Sequence, residues 1–94
     1  MSYAKGRRFE WKVRDYLRKK GFTVIRAAAS KPIDLVALKP GEVLLVECKY
    51  NTPLTKARKK ELLELAKATG AKVVIASKKK GERGIRLTPL TETV

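Results

Sequence analysis

Two carboxylates lie inside the most apolar stretches of this chain. Asp34 falls in Ile33-Asp34-Leu35-Val36-Ala37-Leu38, and Glu47 in Val43-Leu44-Leu45-Val46-Glu47-Cys48-Lys49. A carboxylate buried in such a run is costly unless a cation or strong donors compensate it. Lys49 stands two residues after Glu47, so on an extended strand the two side chains share a face. An Asp followed by Glu-x-Lys is a set that can hold a divalent metal against a phosphodiester. Metal-dependent phosphodiester cleavage is therefore the chemistry to expect.

If the two apolar runs pair as a hairpin, Asp34 and Glu47 converge on one face and repel each other, and a divalent cation relieves the repulsion. Hard oxygen ligands suit Mg²⁺, which binds through one or two carboxylates plus a substrate phosphate; Mn²⁺ is expected to substitute. Such a metal polarises the scissile phosphate and lowers the pKa of a bound water. Lys49 would orient the attacking water or neutralise charge growing in the transition state. The same spacing also allows a buried Glu47–Lys49 or Asp34–Lys49 ion pair with no catalysis. Glu10, at the border of a helical apolar face, could complete the metal site or hydrogen-bond a water there. Pairing with Arg14 at i+4 is its alternative. Ser30 could cap or turn the backbone, or contact a phosphate or metal-bound water.

The 94-residue chain supports one domain with a modest core (1–94, the tail from about residue 88 loosely ordered), and its 44% apolar content argues against global disorder. The formal net charge of +14 favours polyanions, nucleic acid above all. A lysine-rich surface serving solubility is the alternative. With no histidine, His-based general bases and His/Cys zinc sites are excluded. Cys48, the single cysteine, cannot form an intrachain disulfide and reads as a small core residue. No run is long enough to span a bilayer, so no membrane partner is expected, and the expected setting is cytoplasmic, at the nucleoid.

The elements that must position these residues follow from periodicity. Phe9, Val13, Tyr16 and Leu17 recur at helical spacing between Ser2 and about Lys20, and Gly21 stops that helix. Strands are expected over Phe22–Ala27, Ile33–Leu38 and Val43–Lys49, the last two joined by a turn at residues 39–42. Thr55 caps a second helix with Leu62, Leu65, Ala66 and Thr69 on one face, ended by Gly70. A strand over Lys72–Ser77, buried on both faces, returns by a right-handed crossover parallel to the third, and Ile85–Leu87 forms a short closing strand before a fraying end at Pro89. The fold class is thus α/β: a single-domain mixed sheet flanked by helices in the order αβββαβ.

With the elements in place, Gly6-Arg7-Arg8-Phe9-Glu10, Gly21-Phe22-Thr23-Val24-Ile25-Arg26, Ser30-Lys31-Pro32-Ile33-Asp34-Leu35-Val36 and Val46-Glu47-Cys48-Lys49 together resemble the archaeal-type (Hjc-like) Holliday junction resolvases of the PD-(D/E)xK nuclease superfamily. The likeness covers the first half closely and the second mainly by element order. It implies a restriction-endonuclease-like core, with Glu10, Asp34 and Glu47 binding Mg²⁺ and Lys49 catalytic. It also implies that Ser30 is needed for activity, that Arg8 and Arg26 contact DNA beside the scissile phosphate, and that a homodimer cuts a four-way junction symmetrically. Relative to that family the chain is short after Lys49 and at its C-terminus, regions that help form the dimer in relatives.

Lys5, Arg7 and Arg8 open the first helix near Glu10 and are expected to grip phosphates beside the cut. Lys31 adjoins Ser30, and Lys56, Arg58, Lys59 and Lys60, with residues 78–80, extend the footprint. Together they imply salt-sensitive, largely sequence-independent binding. The expectation is a crossover-junction endodeoxyribonuclease acting on branched DNA in recombination and repair. The alternatives are a nuclease of the same fold for other DNA structures and a non-catalytic basic nucleic-acid-binding protein, which leaves Asp34 and Glu47 without a purpose.

Overall fold

The computed structural model describes residues 2–91, with the side chains of residues 2–5 and of Ser30 outside that description. Helix α1 (Ser2–Lys19) is followed by β1 (Thr23–Arg26), a 3-10 turn (Ala28–Ser30), β2 (Leu35–Lys39), β3 (Glu42–Tyr50), α2 (Lys56–Thr69), β4 (Lys72–Lys78) and β5 (Arg86–Pro89). The five strands form one sheet in sequential order, antiparallel except for the parallel β3–β4 pair. The α/β class and the parallel return after α2 are as the periodicity requires.

The helices lie on opposite faces. From α1, Phe9, Val13 and Leu17 are buried with Val24, Leu35, Ala37, Leu44, Val46, Val74 and Ala76. From α2, Leu62 is buried with Ile33, Leu45, Val73 and Ile75, and Leu65 and Ala66 pack on that cluster. Alternate residues of β3 and β4 thus feed two cores, which is why both strands read as continuous apolar runs. Burying both faces is the main stabilising term, at about 25 cal/mol per Å² of apolar surface. Coverage is incomplete over β1 and the start of β3, where Ile25 is 53% and Val43 45% exposed.

The caps behave as their residue types dictate. Thr55 precedes α2, its hydroxyl accepting from the Arg58 amide, and Gly70 ends the helix at a positive φ of 72°. The β2–β3 hairpin closes through Pro40 and Gly41, with Lys39 opposite Glu42 and Gly41 at φ 76°.

Three expectations need correction. Asp34 is not inside the second strand, which begins at Leu35. Extending the β2–β3 register would pair Ile33 with Cys48, but the Cys48 amide donates to the Asp34 carboxylate instead, 2.8 Å away. Ile33 consequently packs in the α2-side core rather than on the face shared by Leu35 and Ala37. Thr69 is exposed, not apolar-face: its hydroxyl donates to the Leu65 carbonyl and accepts from the Ala71 amide, finishing the helix. Finally, Thr88 and Pro89 are paired with Ile75 and Val74, and the Leu90 amide donates to Val73, so residues 88–90 are held to the sheet by β4. Residues 92–94 lie outside the described residues.

Candidate active site

The end of β3, the start of β2, the N-terminal half of α1 and the first turn of α2 surround one cleft of about 310 Å³. Glu10, Lys31, Asp34, Glu47, Lys49 and Arg58 are among the residues that line it. Four elements distant in sequence are needed to bring these charges together.

Glu47 and Asp34 are the two charged residues of the described chain that are buried, at 5% and 8% exposure. Each is compensated. Asp34 Oδ2 accepts the Cys48 amide across the β2–β3 junction. Glu47 accepts two parallel hydrogen bonds from one guanidinium, Arg58 Nε to Oε2 at 2.8 Å and an Arg58 terminal nitrogen to Oε1 at 3.0 Å. Lys49 Nζ lies 4.0 Å from Glu47 Oε2, as the shared strand face requires. Glu10 is reached by Arg26, whose terminal nitrogen donates at 3.3 Å. Arg14, the i+4 alternative for Glu10, pairs with Asp15.

The geometry refines the expected three-acid metal set. Glu10, Asp34 and Glu47 line the same cleft, but among the described residues no three His, Cys, Asp or Glu side chains are grouped closely enough to hold one ion. Glu47 approaches from β3 and Asp34 from the residue just before β2, whereas Glu10 reaches in from α1 alongside Arg26. Two hard carboxylates lining one cleft still suit Mg²⁺, which needs only one or two protein ligands. The residues present therefore fit a divalent cation.

Cys48 carries no nucleophile. Burial first, then the charges of Asp34, Glu10 and Glu47, push its thiol pKa far above the ordinary value, so it stays protonated. Arg58 is shifted the same way in sign: its hydrogen bond to Glu47 holds the guanidinium charged even more firmly than usual, against the opposing effect of burial.

Of the basic residues, Lys31 lines the cleft, and Arg8 and Lys12 line a neighbouring hollow bounded by Phe9, Tyr50 and Lys78. A further cavity of about 350 Å³ continues from Lys49 past Lys78, Lys79 and Arg86. Arg7, Lys56 and Lys60 are exposed and Lys59 is half-buried. The expected roles of the Lys5 and Ser30 side chains fall outside the described residues.

Arg58 is the residue whose place sequence reasoning misses, because it reads there like the solvated lysines around it. A signal is nevertheless available. Arg58 lies four residues before the buried Leu62, on the helix face turned to the sheet, where a charged residue must find a partner.

A family model described as archaeal Holliday junction resolvase (hjc) matches residues 1–93. The chain belongs to that family. This resolvase-family chain is 39% identical over 84 residues to a Methanocaldococcus jannaschii protein named crossover junction endodeoxyribonuclease Hjc. The match takes in 85% of this chain and 63% of that protein, so the chain spans somewhat less than two thirds of its relative's length. Among solved structures, the resolvase fold seen here is similar to that of Archaeoglobus fulgidus Hjc, described as a Holliday junction resolvase from an archaeal hyperthermophile. The TM-score is 0.78 at 30% identity, over 92% of this chain and 73% of the other. The family's mixed sheet, here with five strands and two helices, is thus the frame on which the cleft is built.

Proposed function

We propose that this chain is a Mg²⁺-dependent endodeoxyribonuclease that resolves four-way DNA junctions, acting in recombination and repair on chromosomal DNA in the cytoplasm. The observation that carries the reading is the pair of buried carboxylates, Asp34 and Glu47, facing one cleft with Lys49 beside Glu47. Membership of the resolvase family and the names of the two relatives support the substrate.

In this reading Asp34 and Glu47 hold the cation, and Mn²⁺ substitutes for it. A bound divalent cation supplies positive charge against the phosphodiester and acidifies coordinated water. Asp34 is oriented by the Cys48 amide, so its carboxylate is fixed before substrate arrives. Lys49 presents its ammonium to the scissile phosphate and offsets the charge that grows on its oxygens. Glu10, on α1, orients water in the cleft. Arg7, Arg8, Arg26 and Lys31 grip phosphates beside the cut, with Lys5 at the start of α1. Lys56, Lys59 and Lys60 extend the contact along α2. The track from Lys49 to Lys78, Lys79 and Arg86 gives the strand a basic path away from the site.

Symmetric incision needs two such sites, and the chain is proposed to act as a homodimer. The exposed apolar residues Ile25 and Val43, on the part of the sheet that α2 leaves uncovered, support a self-association surface there.

The test is cleavage of a synthetic four-way junction in Mg²⁺ beside a linear duplex of the same arms. Paired nicks in the junction and an intact duplex are expected. Equal cutting of both would remove junction selectivity and leave a general nuclease.

A further inference from the structure

Arg58 ties together several parts of the cleft. It grips both oxygens of Glu47, its terminal nitrogen also donates to the Pro32 carbonyl at 2.9 Å, and its remaining nitrogen donates to Glu61 at 3.3 Å. It therefore joins α2, the end of β3 and the loop that delivers Asp34. Its backbone is fixed at the start of α2, where the Arg58 amide donates to the Thr55 cap.

Both Glu47 oxygens are directed at the guanidinium, so a cation that takes one of them must displace an Arg58 hydrogen bond. We propose that Arg58 is the resident counter-ion of the metal site: it holds Glu47 in the metal-free protein, and the divalent cation takes Glu47 from it. The inference rests on the metal-site reading above and adds a consequence to it. Arg58 is a positioning residue that makes bare metal binding weak. Once displaced, its guanidinium stands at the cleft near Lys49, where a phosphodiester oxygen is the natural acceptor. Cation and DNA then promote each other's binding through Arg58, since each removes a competitor of the other.

Competition for Glu47 is the physical basis. Without a cation, two buried carboxylates lining one cleft repel, and a bidentate guanidinium relieves Glu47 of that cost. With a cation bound, the guanidinium becomes a like charge beside it and is better placed on a phosphate.

Calorimetric titration of the DNA-free protein with Mg²⁺ tests this directly. Arg58→Ala should bind Mg²⁺ roughly tenfold more tightly than the native chain, with Arg58→Lys between the two. Arg14→Ala, which removes the same formal charge from the helix on the other face, should match the native chain. Should Arg58→Ala fail to fold, Arg58→Lys carries the comparison. Mg²⁺ affinity unchanged or weakened by the Arg58 substitutions overturns the proposal. A second readout is the factor by which Ca²⁺ tightens binding of a four-way junction, which should be smaller in Arg58→Ala; an equal factor overturns the coupling. Asp34→Asn serves to separate the two readings: if it binds Mg²⁺ like the native chain, the metal site itself is misplaced.

Discussion

At the scale of single residues, the cleft is a balance of buried charge. Glu47 is 5% exposed and depends on Arg58, whose own side chain stays a quarter exposed. Removing the guanidinium leaves a buried carboxylate without its main partner. Because Arg58 is partly screened by water, we expect Arg58→Ala to lower unfolding free energy by about 1–3 kcal/mol in urea denaturation, short of the loss for a fully buried pair. A loss within a few tenths of that of an exposed lysine substitution would show the pair to be superficial. Cys48 offers an independent check on the electrostatics. Its thiol pKa is raised, so below the ordinary thiol pKa both folded and unfolded chains hold the proton, and above it only the folded chain does. Stability should fall as pH rises beyond the ordinary thiol range, and this fall should vanish in Cys48→Ala. A fall of equal size in that variant would assign the effect to other groups.

At the scale of elements, β3 places Glu47 and Lys49, and the helices bring Glu10 and Arg58 to the same cleft. Leu62 anchors α2, and with it Arg58, to β3 and β4. Leu62→Ala should cost about 2–5 kcal/mol in urea denaturation, by the methylenes lost and the cavity left, and should weaken catalysis by loosening Arg58. Full junction cleavage by a variant so destabilised would mean that the seating of α2 does not matter to the cleft. Much of this is legible in the chain itself. The stripe of Phe9, Val13 and Leu17, the Thr55 and Gly70 caps and the double burial of residues 73–76 each follow from a local rule of period or capping, and the structure obeys them. The same period places Glu47 and Lys49 on one face. What the chain does not reveal depends on contacts distant in sequence. The break at Asp34 arises from an amide fourteen positions away, the pairing of Arg58 from the packing of α2 across the sheet, and the attachment of residues 88–90 from an edge of β4. Hydrophobic patterning carries no information about which distant donor a carboxylate will find.

At the scale of the whole molecule, the chain carries a formal charge of +14, and Glu10, Asp34 and Glu47 meet in one cleft. A positive exterior favours a polyanion, and in the proposed reading the acids would hold the cation beside it. Junction binding should weaken steeply with salt, and each of Lys78→Ala and Lys79→Ala should reduce the log–log salt slope by about 1 if that lysine meets a phosphate. An unchanged slope would move the strand's path off this side of the site. Ile25→Asp should convert a dimer to a monomer by light scattering while leaving the fold intact, because it places a charge on the apolar surface that α2 leaves open. A dimer mass retained by this variant would place self-association elsewhere. Above all, Asp34 and Glu47 are taken to form the centre that cuts DNA, and incision of an end-labelled four-way junction in Mg²⁺ tests this most directly. The native chain should nick the junction, while Asp34→Asn and Glu47→Gln should still bind it and leave it uncut. Undiminished cutting by both variants would contradict the account.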